Sequence, residues 1–231
     1  MIDETAFTPA WKLAELIRNK KLSPVEITEI YLERIDKLNP KLHAFLAVDY
    51  DNARKQAKKA EEAVFKEEDL PPLHGIPISI KDLTNTKGIR TTYGSLIYKD
   101  NIPKEDDIVV ERLKKAGTII LGKTNTPEFG KSGLTHNRLG EHCRTPWDVA
   151  RKSAGSSGGA AKLPHALTCP FNLTGQPVAT VPCGFSANGL PIGLQIIGRV
   201  GDEMTVLKAS AAFEMERPWA DKIPPVCREI S

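Results

Sequence analysis

The stretch "EDDIVVERLKKAGTIILGKTNTPEFG" (105–130) constrains the fold more than any other. Acidic residues open a segment of apolar residues at helical spacing, Gly117 stands where a helix stop belongs, and the aliphatic run "TIILG" follows before a polar turn. A helix that ends on glycine and feeds directly into a short β-branched run is the helix-then-strand order of an α/β sheet. Upstream, "LHGIPISIKD" (73–82) is bounded by Gly75 and ends in a charged pair, the pattern of a buried strand that delivers a side chain, here Lys81.

The flanking segments fit the same class. In "LSPVEITEIYLERIDKLNP" (22–40), Ser23 is an N-cap, Pro24 sits at the first helical position, and Glu26 is spaced to close a capping box. Val25, Ile27, Ile30, Tyr31, Ile35 and Leu38 form one apolar stripe, and "NP" at 39–40 predicts the helix end. A shorter helix is expected in "AFTPAWKLAELIRNK", a strand in "AFLAV" (44–48) and a charged helix over 51–68. Further on, "VATVP" and "IGLQIIG" read as strands joined through turn residues around Asn188-Gly189, with a last helix over 202–217. The expectation is one α/β domain, a mixed β-sheet surrounded by helices. Residues 1–70 are its mainly helical opening, 71–161 the first half of its core and 162–231 its carboxy-terminal segment. A chain of 231 residues accommodates that without a second core.

Composition excludes more than it proposes. A formal net charge of +3 with 26% charged residues gives no basic footprint for nucleic acid. The amino terminus "MIDETAFTPAWKL" is acidic where a signal peptide is basic, and no aliphatic run approaches the length of a membrane span, so a cytoplasmic protein without membrane contact is expected. Cys143, Cys169, Cys183 and Cys227 form no C-x-x-C pair and read as free, buried thiols. The five histidines form no H-E-x-x-H, so a structural role is expected for each and no metal site.

The chemistry concentrates in "RKSAGSSGGAAKLPHALTCPFNLTGQP" (151–177). With three glycines in five residues, Gly155-Ser156-Ser157-Gly158-Gly159 suits a loop whose backbone amides stand exposed around two hydroxyls, able to hold an oxyanion or a reacting serine. A flexible glycine-serine turn explains the same composition. It is neither a Walker loop, lacking the Gly-Lys-Ser/Thr ending, nor a G-x-S-x-G elbow.

Taken together, "GIPISIKD", "TKGIRTTYGS" (86–95), "VVERLKKAGTIILGKTNTPEF" (109–129), "TPWD" (145–148), the serine loop and "PFNLTGQPVATVPCG…GLPIGLQIIGR" closely resemble the amidase-signature family. The resemblance covers nearly the whole chain. It implies hydrolysis of carboxamide C–N bonds by a Ser-cisSer-Lys triad, with a small amide as substrate and with no metal or organic cofactor. It assigns Lys81 as general base and Ser156 as the bridging cis-serine, their separation of 75 positions being similar to the family's. Gly155, Ser157, Gly158 and Gly159 then line the site. A desolvated lysine sheds its proton readily, and a hydroxyl that both donates and accepts can relay a proton between that amine and an attacking serine.

One part of the family pattern is missing. The attacking serine belongs to a second glycine-rich segment, Asp-x-Gly-Gly-Ser-Ile-Arg, and this sequence passes from Gly158-Gly159-Ala160-Ala161 through "KLPHALTC" to the carboxy-terminal motif. Thr180 stands at about the right distance but within a strand pattern; Ser153 and Ser157 neighbour Ser156; Cys169 lacks an acid-base partner. Three readings stay open: an amidase with a replacement nucleophile, a catalytically silent remnant that binds a small amide or a partner chain, and a protein like the amidase-type subunit of an amidotransferase. Excising part of an α/β sheet also exposes strand edges and a core face, for which a homodimer is one remedy.

Overall fold

The computed structural model describes residues 4–66, 69–153 and 175–228. Its elements are α1 (Ala10–Arg18), α2 (Pro24–Leu42), β1 (Phe45–Val48), α3 (Tyr50–Phe65), β2 (Pro77–Lys81), α4 (Ile108–Lys115), β3 (Ile119–Thr124), β4 (Arg144–Thr145), β5 (Asp148–Lys152), β6 (Val178–Phe185), β7 (Pro191–Ile197), α5 (Glu203–Glu216) and α6 (Pro225–Arg228). The class is mixed α/β, as the sequence predicts.

The sheet that matters for the site has the order β1-β3-β2. β1 runs antiparallel to β3 and β2 runs parallel to it, so the sheet is mixed. β3 lies in the middle and is buried on both faces, as a central strand covered by helices must be. Its Ile119 and Leu121 pack with Leu32 of α2 and with Ala53, Ala57 and Ala60 of α3. Its Ile120 packs on the other side with Ile80, Ile89 and Val110 of α4. The small alanine face of α3 lets that helix approach α2 and the sheet closely.

Ser23 caps α2 as expected, its hydroxyl accepting from the amides of Val25 at 2.9 Å and Glu26 at 3.3 Å. The capping box does not close; the Ser23 hydroxyl donates to Glu61 of α3 and ties the two helices. Nor does α2 end at Asn39-Pro40. It continues through Pro40 to Leu42, with His43 in the left-handed conformation as its C-cap. A proline in the final turn removes one ladder donor while its fixed φ remains helical. The side chain of Asn39 then accepts from the Phe45 amide at 2.8 Å and donates to the Phe45 carbonyl at 3.2 Å, which turns the chain into β1.

The remaining strands do not join this sheet. β4 and β5 form one antiparallel hairpin and β6 and β7 another, the latter turning through Asn188-Gly189 as the sequence suggests. Thr180 is a strand residue opposite Gln195. The β6–β7 hairpin and α5 expose Phe185, Ile192, Leu194, Ile197, Met204 and Leu207. Among the described residues no helix is long and apolar enough to cross a membrane.

Candidate active site

Gly122 sets up the site. Its ideal Cβ would stand 2.2 Å from the Ala47 carbonyl oxygen, so only glycine lets β1 lie this close to β3. The pairing register slips on both sides of this point, between Phe45 and Ala47 on β1 and between Ile78 and Ser79 on β2. Beyond the irregularity Lys123 is fully buried, and Lys81, the last residue of β2, pairs with Thr124.

Lys81 is half-buried, and partial desolvation holds its ammonium below the ordinary lysine range. No carboxylate lies within ion-pairing distance of it among the described residues. Its carbonyl accepts the Thr84 amide at 3.1 Å, so a tight turn begins at Lys81 itself. Asp82, the next residue, is buried. Its amide donates to the Thr124 carbonyl at 3.1 Å and its carbonyl accepts the Tyr93 amide at 2.9 Å. Its carboxylate accepts the Thr92 amide at 3.1 Å and the Thr92 hydroxyl, with the Gly94 amide further off at 3.4 Å. Burial raises the Asp82 pKa; the donors from Thr92, the Lys123 charge and the Gly94 amide act against it.

Gly94 is needed where it stands: its φ is +69°, and a Cβ would meet the Thr126 carbonyl oxygen at 2.9 Å. Loop 91–95 is thereby pressed between Asp82 and the segment that follows β3. In that segment the Asn125 side chain accepts the Thr126 amide at 2.8 Å and the Asn137 amide group at 2.8 Å, while donating to the His43 carbonyl at 2.8 Å. Asn137 also donates to the Thr126 carbonyl at 2.8 Å. The chain then passes through Thr135, whose amide donates to the Ser153 carbonyl at 3.2 Å. Ser153 is buried, its own amide donating to the Cys143 carbonyl at 2.7 Å. This series links the Lys81 strand to Ser153, the last described residue before Gly155 in the sequence. Gly155, Ser156, Ser157, Gly158 and Gly159, with Cys169, lie outside the described residues.

Two features escaped sequence reasoning. Lys123 and Asp82 look like polar residues at strand ends, yet both are fully enclosed. Conversely, an apolar recess of about 300 Å³ beside α2, lined by Tyr31, Leu38, Phe45, Pro77 and Ile78, includes none of Lys81, Asp82 or Lys123. Cys143, Cys183 and Cys227 form no disulfide among the described residues, the first and last of them being buried, and His74 is structural, its Nε2 standing 2.8 Å from the Ala60 carbonyl oxygen. Among the described residues no group of three or more His, Cys, Asp or Glu is placed to hold a metal.

The chain is 39% identical over 162 residues to a glutamyl-tRNA(Gln) amidotransferase subunit of Sulfurihydrogenibium sp. (strain YO3AOP1), covering 70% of this chain and 33% of that one. It is 45% identical over 159 residues to the corresponding protein of Acaryochloris marina, covering 69% and 33%. The chain thus spans about a third of the length of these curated relatives. Among solved structures, a bacterial aryl acylamidase of the amidase signature family superposes with a TM-score of 0.63 at 30% identity, over 67% of this chain and 32% of that one. A peptide amidase bound to the inhibitor chymostatin superposes with a TM-score of 0.62 at 28% identity, over 79% and 38%. The amidase family model matches residues 26–163 and 162–207, two stretches that meet where the serine loop gives way to the carboxy-terminal motif. With the family model spanning most of the chain and the fold shared with solved members, the chain belongs to the amidase signature family.

Proposed function

We propose that this chain is built for carboxamide chemistry, with Lys81 as general base, Ser156 as the bridging hydroxyl, and Gly155, Ser157, Gly158 and Gly159 lining the place where the amide carbonyl sits. The observation that carries the reading is Lys81 itself: a partly desolvated amine without a carboxylate partner among the described residues, fixed at a strand end by the turn that starts on its carbonyl. A buried ion-paired lysine holds its proton; one that is partly desolvated and unpaired gives it up more readily, as a general base must.

In the reaction, the neutral Lys81 amine takes the Ser156 hydroxyl proton while Ser156 takes the proton of an attacking hydroxyl. That oxygen bonds to the amide carbon, the carbonyl becomes an oxyanion, and the proton then passes to the leaving nitrogen as the C–N bond breaks. The family's usual nucleophile segment is not in the sequence, so the attacking hydroxyl belongs to another residue or to water.

The test is intact-mass labelling with a serine-reactive fluorophosphonate, run beside Lys81→Ala. A single adduct that depends on Lys81 supports an amidase with a replaced nucleophile. No adduct on folded protein, with carboxamide binding that survives Lys81→Ala, overturns the role of Lys81 and identifies the silent amide-binding alternative. The names of the relatives favour a second reading, a subunit of an amidotransferase. Glutamine-dependent ammonia release that appears only with partner subunits distinguishes it. A cytoplasmic location goes with either reading, supported by three cysteines that form no disulfide among the described residues. So does a homodimer that covers Phe185, Ile192 and Leu194, which sedimentation velocity reads directly.

A further inference from the structure

We propose that Lys123 is a positioning residue for Lys81: its enclosed ammonium pins the turn that starts at Lys81 and supplies the countercharge that lets Asp82 clamp loop 92–94 against the strand end. The inference rests on the reading of Lys81 as the base.

The geometry is specific. Lys123 Nζ donates to the Thr84 carbonyl and, at 2.9 Å, to Thr86 Oγ1. Thr84 is the residue whose amide closes on the Lys81 carbonyl at 3.1 Å. One ammonium on β3 therefore holds the far side of the turn whose near side is Lys81. Thr86 is itself fully buried, and its hydroxyl donates back to the Thr84 carbonyl at 3.3 Å, so the turn and the ammonium form one closed unit.

The electrostatics point the same way. Burial alone would expel the Lys123 proton, and three acids act against that, Asp82 most strongly, then Asp107 and Asp106. Asp106 is already engaged by Lys114 at 2.7 Å and by the Lys87 amide at 2.7 Å. Asp107 accepts the Asn85 amide at 2.7 Å and the Asn85 side chain at 3.4 Å. Asp82 takes backbone and hydroxyl donors from Thr92 and Gly94, which favour its ionised form, and the Lys123 charge adds to them against the cost of burial. A leucine or methionine at 123 would fill the space without the cost of burying charge. What the lysine adds is a donor for Thr84 and a charge for Asp82, and both act on the residues flanking Lys81.

The experiment compares wild type with Lys123→Met by two readouts that do not depend on turnover. One is amide hydrogen exchange at Thr84, Thr92 and Gly94. The other is competitive acetylation of Lys81 against pH, read at the peptide level by mass spectrometry. The expected result is exchange faster by at least about tenfold at those three amides, with the Ile119 and Ala53 amides unchanged. The acetylation midpoint of Lys81 moves up toward that of an ordinary lysine as the opened turn lets water in. Unchanged local exchange and an unchanged Lys81 profile in folded Lys123→Met overturn the proposal. Uniformly faster exchange throughout the sheet also overturns it, because Lys123 then serves global stability alone. If Lys123→Met does not fold, Thr86→Val carries the same expectation at smaller amplitude, and absence of any local change there is equally fatal. The reading of Lys81 as base fails separately, when Lys81→Ala leaves both amide binding and fluorophosphonate labelling intact while the exchange effect of Lys123→Met persists.

Discussion

Asp82 accepts both the backbone amide of Thr92, at 3.1 Å, and its hydroxyl, and this pairing of one carboxylate with one residue fastens loop 91–95 to the end of β2. Replacing Asp82 by Ala leaves the Thr92 amide and hydroxyl without their carboxylate acceptor, while the Gly94 amide keeps only the Thr92 hydroxyl oxygen at 3.1 Å, and it leaves Lys123 without its main countercharge. The expected loss is ~2–4 kcal/mol of unfolding free energy in urea titration, from buried groups left unsatisfied. A loss below about 0.5 kcal/mol, the scale of ordinary surface substitutions, would mean that the carboxylate is solvated in solution.

Stability rises with pH through the range in which Lys123 deprotonates. Burial lowers its pKa from the ordinary lysine value of 10.5 to about 8, with Asp82, Asp107 and Asp106 opposing the fall. Below about 8 both folded and unfolded chains carry the proton and the full cost of burying the charge is present. Between the two values the unfolded chain binds more protons, so the Lys123 contribution becomes more favourable as pH rises. The measurement is the urea midpoint of wild type against Lys123→Met at about pH 7.5 and about pH 10, on either side of most of that range. The difference between the two proteins should shift in favour of wild type at the higher pH.

Lys81→Met separates function from stability. The side chain is partly desolvated and makes no ion pair among the described residues, so an apolar replacement of similar length removes a desolvation cost and no partner. Thermal unfolding should show a midpoint equal to or above that of wild type, while Lys81-dependent fluorophosphonate reactivity disappears. A clear fall in midpoint contradicts this account of the lysine's surroundings.

Gly122→Ala should be among the most damaging single-methyl changes in the chain. The added Cβ would stand 2.2 Å from the Ala47 carbonyl oxygen and 2.9 Å from Val48 Cα, both backbone atoms that cannot rotate away. Overpacking of this kind costs ~1–3 kcal/mol or more. Circular dichroism melting of Gly122→Ala against Gly189→Ala, where a Cβ meets no atom within 4 Å, isolates the clash from left-handed backbone strain at a turn. Equal losses in the two variants would place β1 further from β3.

What the sequence by itself determined is local. Ser23 at a helix start, Gly117 after α4, the β-branched runs of β2 and β3, and Asn188-Gly189 between β6 and β7 all act over a few residues, and each does as its chemistry predicts. Lys81 was legible because the strand pattern ends on it and the surrounding motifs resemble a family's. The end of α2 was not, because whether a helix tolerates Pro40 depends on Asn39 finding Phe45 across the turn. The burial of Lys123 and Asp82 was decided only in three dimensions. Alternation along β3 is broken at Gly122 by the close approach of β1, and the partners of Lys123 and Asp82, Thr84, Thr86, Thr92 and Gly94, lie on chain segments brought together by strand pairing. A side chain's desolvation and countercharge are properties of everything folded around it, which is why periodicity found the strand that ends on Lys81 and tertiary structure alone supplied the residues packed around its turn.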